Sequence, residues 1–202
     1  MKLAENIELI DGTMANCYSV KIENRNVLID AGIKSSSKKI INYYRSMNSK
    51  PDIILITHCH TDHIGGLYDL FSEFHPQVFI PDKELGIASG KEKMPTRGGV
   101  MSAVAGLMKA RPVEDVRPLS ELSEQGIKPV DTNGHTPGST SFSFEGMGAI
   151  FVGDAVFEKD GKYEFNRSFT LDPENAEKSI KRILEFHGAV AYPGHGKQFR
   201  IP

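Results

Sequence analysis

Ile53-Ile54-Leu55-Ile56-Thr57-His58-Cys59-His60-Thr61-Asp62-His63 joins a continuous apolar run to three histidines and an aspartate. A short apolar run bounded by Pro51 reads as an interior strand buried on both faces. If the chain stays extended through His58 and His60, their period-two spacing sends both imidazoles to one side. Asp62 continues that parity, and a turn toward the Gly65-Gly66 pair brings His63 round to a second position. By the same parity Cys59 points away from its neighbours and is read as a small packing residue. Crowding these side chains beside a buried strand costs desolvation, and repulsion if the rings are protonated, unless a divalent cation offsets it. The cluster therefore points to a metal centre.

Three more short signatures lie downstream. His135 sits in Asn133-Gly134-His135-Thr136-Pro137-Gly138-Ser139, a tight loop where the glycines permit close approach and Pro137 limits backbone freedom. Asp154 follows the apolar Ile150-Phe151-Val152-Gly153, again at a strand end. His195 lies between glycines in Tyr192-Pro193-Gly194-His195-Gly196. With these, five of the seven histidines belong to one candidate site.

Around the site, Ile7 to Leu9, Asn16 to Lys21 and Asn26 to Asp30 read as strands separated by Asp-Gly and Glu-Asn turns. Ser35 to Met47 and Gly66 to Phe74 carry helical periodicity, and Gln77 to Ile80 is the next strand. Thr140 to Phe144 and Ala149 to Val152 flank a Glu-Gly-Met-Gly turn as a hairpin. Asp172 caps a helix with Pro173 at its first position, Gly188 ends it, and Ala189 to Tyr192 is the last strand. Asp30 is read as terminating its strand in preference to supporting a metal ligand. Asp82 to Arg111 holds six Lys or Arg against three Asp or Glu. It is read as carrying a surface helix from Gly99 to Ala110, with a lid over the site (82–111) as the competing reading. Strands, then alternating strands and helices, then a hairpin, helix and strand fit two sheets enclosed by helices better than a repeated βαβ pattern.

The chain has 202 residues, is 39% hydrophobic and 25% charged, and carries a formal net charge of -2. That suits one large domain over 1–202, and offers no broad basic footprint for nucleic acid. Cys17 and Cys59 do not make a disulfide framework, Glu5, Glu8 and Asp11 interrupt any signal-like stretch, and no apolar run approaches a membrane span of roughly 18 residues. A cytoplasmic protein without membrane or nucleic-acid partners is expected, and homodimerisation stays open.

The HxHxDH signature and the separated His135, Asp154 and His195 resemble the metallo-beta-lactamase superfamily in its broad sense, with a glyoxalase II-like or lactonase-like core. The resemblance runs from Asn16-Cys17-Tyr18 and Leu28-Ile29-Asp30-Ala31-Gly32 to Pro193-Gly194-His195-Gly196, nearly the whole chain. It implies an α+β fold, the four-layer αββα sandwich, with metals at one edge of the facing sheets. It assigns His58, His60 and His135 to a first metal and Asp62, His63 and His195 to a second, bridged by Asp154. Nitrogen and carboxylate donors suit two zinc ions, while iron and manganese remain compatible.

The chemistry implied is attack of a metal-held hydroxide on a small carbonyl substrate such as a lactone, thioester or ester, with Asp62 and Asp154 orienting the nucleophile or moving its proton. Asn166, Arg167 and Ser168 could reach an anionic substrate group, and Tyr163 and Phe165 could form an apolar wall. Two competing readings are a mononuclear iron enzyme oxidising persulfides and a non-enzymatic, metal-stabilised interaction protein.

Overall fold

The computed structural model describes residues 1–96 and 110–202. Its centre is the parallel trio β4 (Arg25–Ile29), β5 (Ile53–Leu55) and β6 (Gln77–Ile80), which pairs Val27 with Ile53 and Ile54 with Val78. Successive side chains leave a strand on opposite faces. Val27, Ile29, Ile53, Leu55 and Phe79 therefore enter one core while Leu28, Ile54, Val78 and Ile80 enter another. This double burial explains why Ile53–Leu55 has no polar alternation.

β1 (Lys2–Ala4), β2 (Ile7–Leu9) and β3 (Tyr18–Ile22) extend that sheet antiparallel on one side, and β7 (Arg117–Pro118) closes it on the other, in the order β1-β2-β3-β4-β5-β6-β7. A second sheet consists of β8 (Ile127–Asp131), β9 (Thr140–Phe144), β10 (Ala149–Gly153), β13 (Val190–Pro193) and β14 (Phe199–Arg200), ordered β14-β13-β10-β9-β8. Between β10 and β13 in sequence, β11 (Phe157–Lys159) and β12 (Lys162–Glu164) form a separate hairpin.

The sheets face each other across Phe142, Phe144, Phe151 and Tyr192 from one side and Tyr18, Val20, Ile29 and Leu55 from the other. Phe151 is the hub: its ring lies 5.2 Å from Tyr18, 5.1 Å from Phe144 and 4.9 Å from Tyr192. Outside the first sheet pack α1 (Ser37–Ser46) and α3 (Leu67–Phe74) through Ile40, Tyr44, Leu67 and Leu70. Outside the second sheet packs α5 (Pro173–Leu184) through Ile183, against Ile150, Val152 and Ala191. The layers are thus helix, sheet, sheet, helix, an α+β sandwich with mixed sheets.

The expected cap holds: Asp172 accepts a hydrogen bond from the Asn175 N–H at 3.0 Å, with Pro173 opening the helix. Of the 82–111 stretch, α4 (Leu85–Ala88) is a single turn, and Leu85, Ile87, Met94 and Ala110 pack against the core beneath the first sheet. The surface helix expected from Gly99 to Ala110 lies, but for its last residue, outside the described residues. No helix is long and apolar enough to cross a membrane among the described residues.

Candidate metal centre

The loops that follow β4, β5, β8, β10 and β13 bring the candidate side chains together. The strand through Leu55 does not continue as far as expected. Thr61–Ile64 coils into a helical turn, α2, so Asp62 reaches the site from a helix and not by strand parity. The turn follows His60, whose carbonyl accepts from the N–H groups of His63 and Ile64 at 2.9 and 3.0 Å. Coiling places Asp62 and His63 beside each other around a second centre, which an extended chain would not do.

Three ring nitrogens converge in the first group. His60 Nδ1 lies 3.1 Å from His58 Nε2 and 2.8 Å from His135 Nε2. In the second group His195 Nε2 lies 3.0 Å and His63 Nε2 3.7 Å from Asp62 Oδ2. Asp154 stands between the groups, with Oδ1 at 3.4 Å from His63 Nε2, and Oδ2 at 3.6 Å from both His135 Nε2 and His195 Nε2. Donors around a tetrahedral zinc, with bonds of about 2.05 Å, stand about 3.3 Å apart, the scale seen here. In each of the sets His58/His60/His135, His58/His63/Asp154 and Asp62/His63/His195, one ligand atom per residue lies within 4.8 Å of the others.

A cation also resolves a polar anomaly. His63 Nε2 and Asp154 Oδ1 are buried, face each other and have no hydrogen-bond partner. Buried polar atoms are nearly always paired, and a ring nitrogen opposite a carboxylate oxygen fits a shared positive ion. The residues present suit the metal: the chain contains a potential binuclear metal-binding site.

Electrostatics divides the rings. Burial, helped by His63, His135 and His60, holds His58 well below the ordinary imidazole range, so that ring is neutral. Burial also lowers His60 and pushes His135 down to about 3. For His63 burial acts in the same direction, but Asp154 and Asp30 outweigh it and hold the ring well above the usual value. His195 is raised chiefly by its hydrogen bond to Asp62. Both aspartates are held low against burial, Asp62 by that bond and Asp154 by the charge of His63.

The ligand rings are braced from behind. Asp30 is buried with φ +59°, a left-handed conformation uncommon for a residue with a side chain. Its carboxylate accepts from the Thr57 N–H at 2.8 Å, from the Thr57 hydroxyl at 2.9 Å, and bonds His63 Nδ1 at 2.8 Å. This fixes the His63 ring with Nε2 turned into the site. Asp30 is therefore more than the strand terminator expected from sequence. The Thr57 oxygen lies 3.1 Å from His58 Nδ1, and its carbonyl accepts from Thr140 N–H at 3.0 Å, tying the two sheets together beside the site.

Asn16 does the corresponding work for the His195 loop. Its N–H donates to Gly194 O at 2.7 Å and its amide to Pro193 O and Gly196 O at 2.9 and 3.0 Å. Gly194 has to be small, because a Cβ there would collide with Asp154 Oδ1 and lie 2.6 Å from His63 Cε1. On the other side, Gly134 at φ +129° presses on Ala176 of α5, while the Ser179 hydroxyl donates to Asn133 O at 2.6 Å. The helix thereby sets the position of His135.

A family model for the metallo-beta-lactamase superfamily matches residues 10–195. The chain belongs to this superfamily. A probable metallo-hydrolase of Streptococcus pyogenes serotype M6 is 30% identical, over 100% of this chain and 86% of that protein. The crystal structure of TTHA1623 in a di-iron-bound form superposes with a TM-score of 0.78 at 26% identity, covering 96% of this chain and 94% of that one. A hydroxyacylglutathione hydrolase of Chelativorans is 25% identical over 83% of this chain, which spans only 56% of that longer protein.

This superfamily member carries Asn166, Arg167 and Ser168, three of the expected substrate residues, in a loop joined to His135. Asn166 O accepts from the N–H groups of Phe169 and Thr170 at 3.2 and 3.0 Å, and Thr170 Oγ1 lies 3.4 Å from His135 Nδ1. Within that loop Ser168 N–H donates to Asn166 Oδ1 at 3.1 Å, and the Arg167 guanidinium stacks 5.2 Å over Phe165, which is buried. Tyr163 packs apart from them, 5.5 Å from the Phe199 ring in the core outside the second sheet. Cys59 is buried in packing as expected, and burial pushes its thiol far up.

Proposed function

We propose that the protein is a hydrolase that uses two divalent metal ions, with zinc the natural choice for its donors, to cleave a small carbonyl substrate such as a lactone, thioester or ester. The observation that carries this reading is Asp154, whose Oδ2 lies 3.6 Å from one ring of each group, His135 and His195, while Oδ1 stands opposite His63 Nε2 without a hydrogen-bond partner. In it, His58, His60 and His135 hold the first ion, Asp62, His63 and His195 the second, and Asp154 both. When bound, the ions supply Lewis acidity and lower the proton affinity of water at neutral pH.

The chain's own groups supply the rest. Asp62 and Asp154, both held ionised, would orient the attacking water, and one of the two would relay its proton to the leaving group. The neutral rings of His58, His60 and His135 serve as donors and not as general bases. Asn166, Arg167 and Ser168, on the loop fastened to His135, contact an anionic part of the substrate, while Phe165 supports the Arg167 plane. Homology to a hydroxyacylglutathione hydrolase supports a thioester or ester among the substrates, and the TTHA1623 structure makes iron the competing metal.

The test compares the wild type with Asp154→Ala by elemental analysis and by turnover of a panel of lactones, thioesters and esters. Loss of metal together with loss of hydrolysis is expected. Hydrolysis unchanged in the variant refutes the proposal, as does a wild type holding one iron that consumes oxygen with a persulfide and hydrolyses nothing.

A further inference from the structure

Among the described residues, Glu84 is the one fully buried carboxylate that plays no part in bracing or forming the metal centre. It follows β6 in a single 3-10 turn, Asp82–Glu84, and is fully buried. Among the described residues no Lys, Arg or His makes an ion pair with it. Its oxygens are instead turned onto the backbone of two ligand loops. Oε2 accepts from Cys59 N–H at 2.5 Å, between His58 and His60, and Oε1 accepts from Gly138 N–H at 3.0 Å and from the Thr136 hydroxyl, next to His135. Gly138 keeps the space for it, since a Cβ there would lie 2.7 Å from Glu84 Cγ.

We propose that Glu84 is a positioning residue for the first metal ion: its carboxylate fixes the separation between the His58–His60 segment and the His135 loop. The inference rests on the proposed binuclear function and adds to it a residue that touches no ligand ring. The two loops come from different sheets, and their ring nitrogens must meet to within a few tenths of an ångström for a cation to bind. A side chain that accepts from both backbones at once sets that distance directly, much as outer hydrogen bonds hold metal ligands elsewhere. Its hydrogen bonds go to the segments that carry His58, His60 and His135 and not to Asp62, His63 or His195, so the main effect is expected at the first centre.

Glu84→Gln tests this with little change in volume. An amide places a donor against at least one of the three donors now facing the carboxylate. Zinc affinity is read by competition with a chromophoric chelator, and the visible spectrum of the cobalt-loaded protein is followed at one and two equivalents. His135→Ala and His195→Ala supply reference spectra for loss of either centre. The expected result is one affinity weakened about 10- to 100-fold, the other within about twofold, and a one-equivalent spectrum matching His135→Ala.

Thr136→Val, nearly isosteric, removes one donor and should give a smaller shift of the same kind; it carries the test if Glu84→Gln does not fold. Wild-type affinity at both centres in either folded variant overturns the inference, as does equal weakening of both. A wild type that binds no metal overturns the parent function as well, whereas a wild type binding two ions beside an unaffected Glu84→Gln overturns only the role of Glu84.

Discussion

Gly194→Ala should disable the site through a single methyl group. Gly194 lies outside the left-handed backbone region, so alanine brings no backbone strain, and the whole effect comes from what its Cβ meets. That atom would collide with Asp154 Oδ1 and stand 2.6 Å from His63 Cε1. Ordinary carbon contacts begin near 3.5 Å, so the ring has to yield by about 0.9 Å. His63 has no room to do so, because Nδ1 is held 2.8 Å from the buried Asp30. The strain falls on two proposed ligands at once, and misplacement of a reacting group by about 1 Å typically costs about 100-fold.

The variant should therefore bind its second zinc at least about tenfold more weakly and lose turnover by about 100-fold, while the metal-free protein still unfolds cooperatively. Chelator competition, turnover and thermal unfolding measure the three. Two zinc ions bound at wild-type affinity with wild-type turnover would show that Gly194, His63 and Asp154 do not share a crowded centre.

Proton release should distinguish the two metal positions. His63 and His195 keep their protons to higher pH than an ordinary imidazole and must shed them to bind a cation, so affinity at their group falls as pH drops through those raised values, by up to about tenfold per pH unit per proton, and levels off above them. The depressed His58, His60 and His135 are already neutral at pH 7, so their group should show little pH dependence above it; calorimetry in buffers of different ionisation heat counts the protons, and identical profiles would refute the division. Asp30→Asn should weaken metal binding about 10- to 100-fold by loosening His63, read by chelator competition, with unchanged affinity counting against its bracing role. Phe151→Ala should cost about 3–5 kcal/mol in chemical denaturation, since the ring is fully buried between the sheets; a loss under about 1 kcal/mol would contradict its place as the hub of that core.

The strands of the interior were readable because burial writes itself into composition. Ile53–Leu55 and Ala149–Gly153 are apolar throughout since each feeds two cores. The strands missed lacked that constraint: β1, β7 and β14 are short edge pieces, β8 contains Pro129, tolerated at the border of its sheet, and β11 and β12 pair only with each other outside both sheets. Helix α5 was legible down to its cap because Asp172 and Pro173 act locally.

All seven candidate ligands could be picked out from sequence because imidazoles and carboxylates at strand ends, flanked by glycines, are costly arrangements with little structural use. Their convergence was another matter. Whether Asp62 follows a strand or a helical turn depends on hydrogen bonds to His60 that no spacing rule reveals. The bracing by Asp30, the grip of Asn16 on the His195 loop and the contact of Glu84 with two loops span 27, 178 and 54 residues of chain respectively. Residue type and local period determined what each segment could become and which side chains could bind a metal. Only the packing of the two sheets decided which distant loops meet, because a buried carboxylate's partners are set by geometry in space and leave no periodic trace along the chain.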